Sequence, residues 1–152
     1  MTRIPLIPSP RVALSLLSAL CCPVLVSCGD SGPVQAGSVD FPAQPAFTTT
    51  TSALRVEVRT APDQPPVRGS SSVELRLFAI DSGEPVDALT LSVVPFMPAM
   101  GHGSPDTPSV SFAQDGRYVL DNVVLPMPGV WELRTSISGP TVDYVAPSFD
   151  VQ

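Results

Sequence analysis

Short stretches of alternating apolar and polar residues, the lack of any competing periodicity, and turns crowded with proline and glycine together predict an all-β fold. Six or seven such stretches lie between Leu54 and the C-terminus. Outside an apolar run near the N-terminus, no apolar period of three to four residues persists for three turns, as an amphipathic helix would require. The 152 residues include 19 prolines and 10 glycines; proline ends strands, discourages pairing at their edges and reduces the freedom of the unfolded chain. About seven short strands with uneven connections, over about one hundred residues, describe an immunoglobulin-like β-sandwich better than a barrel. The Cys…Trp…Cys pattern of antibody domains is missing, so Trp131 is not assigned their central packing role.

The chain begins with Arg3 and Arg11 ahead of an apolar run from Val12 through Val26. This is the charged and apolar order of an export signal, and the run is short for a membrane-spanning helix. It ends in Leu25-Val26-Ser27-Cys28-Gly29, which resembles the lipobox of bacterial lipoproteins. The resemblance implies a signal peptide over 1–27, a diacylated Cys28 as the mature N-terminus, and a membrane anchor. In the alternative, Cys21, Cys22 and Cys28 are small apolar residues of an ordinary secretory signal. Cleavage before Cys28 leaves no pair of cysteines to form a disulfide. Gly29 stands where an aspartate would bear on sorting, which implies the periplasmic side of the outer membrane in a Gram-negative cell. Residues 28–52 are rich in Gly, Ser, Pro, Ala, Gln and Thr and read as a flexible tether, with an edge strand around Phe47 as the alternative.

The sandwich is expected over 53–152. Leu54, Val56 and Val58 alternate with Arg55, Glu57 and Arg59, the mark of a strand with one buried face. A proline-rich connection leads to a second row, Val73, Leu75, Leu77 and Ala79, although Phe78 and Ile80 make its other face less polar. Asp81-Ser82-Gly83-Glu84 reads as a turn. Leu89, Leu91 and Val93 form the third row. Val110 and Phe112 follow, then Gln114-Asp115-Gly116-Arg117, the strongest hairpin signal in the chain. Tyr118 and Leu120 continue the alternation, but the odd step to Val123 and Leu125 requires a bulge or bend at Asp121-Asn122. Trp131, Leu133 and Thr135 alternate with Glu132 and Arg134; Val142, Tyr144 and Ala146 precede a tail ending in Phe149-Asp150-Val151-Gln152.

The third row runs into Val93-Val94-Pro95-Phe96-Met97-Pro98-Ala99-Met100-Gly101-His102-Gly103, which holds the one histidine and two of the three methionines beyond Met1. The other, Met127, lies between Pro126 and Pro128. Loops of a sandwich that are distant in sequence meet at one pole. An irregular loop freed by Gly101 and Gly103 could therefore direct Met97, Met100 and His102 to a point that Met127 also reaches. Three thioethers and an imidazole suit copper as Cu(I) better than oxygen-preferring ions. Methionine is equally a filler of irregular core gaps. Asp106 is the carboxylate nearest in sequence that could fix the His102 tautomer, or it is a solvated loop residue. Phe96 and Trp131 could shield the metal, or serve as ordinary core aromatics.

Three ordered motifs, Phe96-Met97-Pro98-Ala99-Met100-Gly101-His102, Asp115-Gly116-Arg117-Tyr118 and Met127-Pro128-Gly129-Val130-Trp131-Glu132-Leu133, resemble the YtkA-like domain family. That family is similar in turn to the periplasmic part of FixH-type proteins. The resemblance spans about Leu54 to Val145. It implies an exported immunoglobulin-like domain, often tied to a membrane, with a copper transporter or a haem-copper oxidase assembly factor as partner. On its pattern Met97, Met100, His102 and Met127 carry the metal hypothesis. Periplasmic copper chaperones with two histidines are a poorer match, since this chain has one.

Other functions find little support. The net charge of −6 and the absence of lysine argue against nucleic acid, whose backbone needs clustered basic groups. No Cys-X-X-Cys, nucleophile motif or phosphate-cradling loop occurs in the exported part, and the aspartates are scattered. The expected role is binding or delivery and not catalysis, with a metal-free interaction module as the alternative.

Overall fold

The computed structural model describes residues 39–152. The expected signal peptide, Cys28 and the first part of the tether lie outside the described residues. Ten strands form two antiparallel sheets: β1 (Phe47–Thr50), β2 (Leu54–Ala61), β3 (Gly69–Ala79), β4 (Thr90–Met97), β5 (His102–Gly103), β6 (Ser109–Phe112), β7 (Arg117–Leu125), β8 (Gly129–Ser138), β9 (Asp143–Val145) and β10 (Ser148–Val151). One sheet runs in the order β1-β2-β3-β7-β6, the other β10-β8-β4-β5, with β9 also paired to β8. The all-β sandwich is as expected, with ten strands where about seven are predicted. The additional ones are short, and two of them lie in stretches whose alternation is too brief to read.

β1 is one of these. Phe47–Thr50 falls inside the stretch expected to be tether, yet it pairs with Arg55–Val58. The β-branched threonines favour the pleated conformation, and Phe47 packs edge-on against Phe149 with ring centroids 5.6 Å apart. The folded domain therefore starts before residue 53. The C-terminal tail is likewise a strand, β10, whose Phe149 and Val151 are buried. In β9 the phase differs from the apolar row in the sequence: Val145 is buried, whereas Val142 and Tyr144 are exposed. Val142 lies outside the pairing, so its apolar character reflects no core position.

Elsewhere the alternation maps directly onto the two faces. Leu54, Val56 and Val58 of β2 and Val73, Leu75 and Leu77 of β3 are all buried. They face Val93, Leu133 and Trp131 of the other sheet in one continuous core. On the outside Arg55 lies over the Phe78 ring, 4.1 Å from its centroid, which covers the apolar patch seen in the sequence. The bulge occurs at the expected place. Ser71 pairs with Val123 and Val73 with Leu120, so Asp121 and Asn122 together oppose one residue; Asn122 adopts φ 60° and the extra residue returns Val123 to the core face. Gln114, Asp115 and Gly116 all have positive φ in the predicted hairpin. A side chain at Gly116 would lie 2.4 Å from the Leu77 carbonyl, so only glycine fits.

Two polar clasps tie connections to the sandwich. The Tyr118 hydroxyl accepts from the Leu89 N–H at 3.0 Å and donates to the Val86 carbonyl at 3.1 Å, holding the segment that leads into β4. Burial pushes this hydroxyl above its ordinary pKa, and the nearby Asp87 charge adds to the effect. On the opposite edge, the Asp143 carboxylate accepts from the Thr51 and Ser52 hydroxyls and from the Ala53 and Tyr144 amides. It thereby joins β9 of one sheet to the turn between β1 and β2 of the other.

Burial alone would raise the Asp143 pKa, but these four hydrogen bonds outweigh it and hold the carboxyl below its ordinary value. A depressed folded pKa adds stability above the unfolded value and loses it as pH falls through the folded one. The difference in unfolding free energy between the wild type and Asp143→Asn is therefore expected to be full at neutral pH. It should shrink below about pH 3.9, as measured by urea unfolding across a pH series.

Candidate metal centre

The methionine-rich stretch is a hairpin and not an irregular loop. β4 continues through Met97, and β5 returns beside it with Met97 opposite His102 and Phe96 opposite Gly103. The Gly101 N–H donates to the Met97 carbonyl at 3.0 Å, and Gly101 takes the positive φ (67°) that closes the turn. Residues directly opposite in an antiparallel pair project from the same face of the sheet, about 4.5–5.5 Å apart. The pairing therefore places Met97 and His102 side by side on the core-directed face, at the sheet edge. Met97 is buried among core residues while His102 is exposed.

The second methionine segment comes to the same end of the sandwich. β8 runs antiparallel to β4, so the start of β8 lies beside the end of β4. Between β7 and β8 the chain crosses from one sheet to the other through Pro126-Met127-Pro128. Met127 is half-buried and packs on the core. Its carbonyl accepts from the Trp131 indole N–H at 2.9 Å. The Met97 methyl carbon rests against Gly129, where a side-chain carbon would lie only 2.7 Å away. Met97, His102 and the Met127 turn are thus gathered at one pole, and Gly129 leaves the room that Met97 occupies.

Met100 is placed differently. It sits on the hairpin turn, 60% exposed, so its thioether is not held against the core as that of Met97 is. Among the described residues no three His, Cys, Asp or Glu side chains cluster as a metal site.

The residues proposed to support the site take other roles. His102 Nδ1 lies 3.0 Å from the Gly103 carbonyl. A carbonyl only accepts, so this contact places a proton on Nδ1, and in the neutral imidazole Nε2 is then the nitrogen with the lone pair. Gly103 thus supplies the orienting acceptor for which Asp106 is the candidate in the sequence; the exposed Asp106 receives no bond from the imidazole, and its own amide donates to the Ser104 hydroxyl at 3.4 Å. Phe96, next to Met97 in an alternating strand, points to the outer face, where Arg134 stacks 3.5 Å from its ring centroid and bonds Glu132. It cannot shield the core-facing side. Trp131 is fully buried, a core aromatic that also fastens the Met127 turn. Gly129 and the Gly103 carbonyl are absent from the candidates read from sequence; the Pro-Gly before the eighth strand is the sole local hint of the first.

The two methionines of the hairpin should respond oppositely to truncation. Met97→Ala is expected to cost about 2–5 kcal/mol, since it opens a cavity in the core, whereas exposed Met100→Ala should change stability by less than about 0.5 kcal/mol. Denaturant unfolding of the metal-free variants checks both.

Two solved structures with similar backbones are forms of FetP from uropathogenic Escherichia coli strain F11. A copper-bound variant has a TM-score of 0.48 and 12% identity, covering 71% of this chain and 96% of its own. The as-isolated protein has a TM-score of 0.47 and 15% identity, covering 69% and 91%. No curated protein sequence matches the chain. The YtkA-like family profile matches residues 50–136, a span that contains the whole hairpin, the Met127 turn and Trp131, and the chain belongs to the YtkA-like family.

Proposed function

We propose that this protein is an exported, membrane-anchored copper carrier that holds Cu(I) through methionine thioethers and His102, for storage or for delivery to a membrane partner. The observation that carries this reading is the pairing of Met97 with His102, with the imidazole Nδ1 engaged by a backbone carbonyl and Nε2 left as the donor. Met127 adds a second thioether at the same pole, and Met100, on a turn flanked by glycine, adds a third when the turn folds inward. Neutral soft donors suit Cu(I) and need no deprotonation. A site near the surface, with two of its donors, His102 and Met100, exposed, favours exchange with a partner over permanent storage. As the family resemblance implies, that partner is a copper transporter or a haem-copper oxidase assembly factor, and the anchor is the acyl group on Cys28. The role is binding and transfer, without turnover of a substrate.

The burial of Met97 favours a second reading, a metal-free sandwich that assists a membrane protein, with its methionines as core filler. Titration against a competing Cu(I) chelator separates the two. Under the copper reading the wild type binds one equivalent, His102→Ala binds more weakly, and Met97/Met100/Met127→Leu, which roughly preserves volume, competes poorly. A wild type that binds no more tightly than the triple leucine variant would leave the metal-free reading. For the anchor, Cys28→Ala is expected to move the protein from the membrane fraction to the soluble one, and mass spectrometry of the mature wild type should find a lipid on Cys28.

A further inference from the structure

The outer face of the β1-β2-β3-β7-β6 sheet holds four of the six arginines among the described residues, at Arg55, Arg59, Arg76 and Arg117, with Glu57 and Glu74 between them. Strand register places Arg76 directly opposite Arg117, an arrangement that is unfavourable for like charges without something to hold them. Glu74 is that element. Its carboxylate, 1% exposed, accepts from Arg59 Nη1 at 3.4 Å, from Arg76 Nε at 3.0 Å and from Arg117 Nε. One buried anion thus orients three cations.

The way the bonds are used matters more than the count. Arg76 and Arg117 each spend the inner Nε edge on Glu74, and neither Nη pair bonds another group among the described residues. Arg59 is committed on its outer side too, to Glu57 at 3.1 Å and the Ala43 carbonyl at 3.4 Å. Both guanidinium groups line a polar cavity of about 200 Å³, together with Arg59, Glu74 and the segment 39–43. Phe41 stands at its wall, 5.9 Å from the Arg117 guanidinium carbon. Counting Asp40 on the rim and the Glu57 that bonds Arg55 and Arg59, four guanidinium charges face three carboxylates, a small local positive excess in a chain of net charge −6.

We propose that this cavity is an oxyanion site, in which Arg76 and Arg117 grip a phosphate group through their outward Nη edges while Glu74 holds the forks in place. Guanidinium is suited to this task because its planar fork matches two oxygens at once. The phosphate can come from a soluble ion or from a phospholipid headgroup, and the two sources are separable.

Thermal unfolding of the full chain in sodium phosphate is compared with unfolding in sodium chloride of equal ionic strength, which removes general screening. The expected result is a higher midpoint in phosphate for the wild type, with at least half of that shift lost in Arg76→Gln and an intermediate shift in Arg76→Lys, which keeps charge without the fork. Should the glutamine variant not fold, the lysine variant carries the comparison. Cosedimentation with phosphatidylglycerol vesicles, set against phosphatidylcholine vesicles, identifies the source: extra capture that depends on Arg76 assigns a lipid phosphate, and a phosphate shift without it assigns a soluble ion. Equal behaviour in phosphate and chloride together with equal capture by both vesicles, or effects that Arg76→Gln leaves intact, would overturn the site.

Discussion

A single hydrogen bond at the crossing between the sheets, from the fully buried Trp131 indole to the Met127 carbonyl, is the constraint on which the candidate centre depends. Pro126 and Pro128 deprive that crossing of two backbone donors, so the turn has few hydrogen bonds of its own with which to fix its path. The indole supplies a fixed point from within the core. A net gain of about 0.5–1.5 kcal/mol is typical for one such bond, but its structural effect is larger, because it holds the turn beside the end of β4. Trp131 therefore contributes through packing and through position at once.

The same economy recurs at the other connections. Tyr118 is a core residue whose hydroxyl bridges Leu89 and Val86, and Asp143 gathers three donors from the turn before β2 and the Tyr144 amide beside it. Each buried or half-buried polar group answers the backbone or hydroxyl groups of an irregular segment that cannot satisfy itself in a ladder. Among the described residues, no buried side-chain nitrogen or oxygen lacks a partner. Glu74 extends this logic to charge: its burial is tolerable because three guanidinium groups surround it. Polar clasps and core packing coincide at these connections, whereas at the hairpin turn Met100 faces solvent.

Much of this was legible in the chain itself. The inward rows of β2, β3, β7 and β8, the Gly116 hairpin and the Asp121-Asn122 bulge follow from alternation and from one break in its parity. Those signals are local, since a strand needs only its own side chains to declare two faces. The weaker expectations failed for a reason of the same kind. Phe47–Thr50, where an edge strand is the alternative to a tether, and Ser148–Val151 are four residues each, too short to show a clear period, and they become strands because a longer partner offers them an edge.

The amino-acid sequence by itself determined that the domain is all-β, which residues line most of its core, and which few side chains could act as soft donors. Only the tertiary structure decided that Met97 and His102 share a face, that the Gly103 carbonyl accepts from the imidazole N–H, and that Gly129 makes space for Met97. The difference is physical. The side a residue faces repeats every second position along one strand, but which residues meet is set by the register between paired segments, and the pattern of one strand does not encode that register.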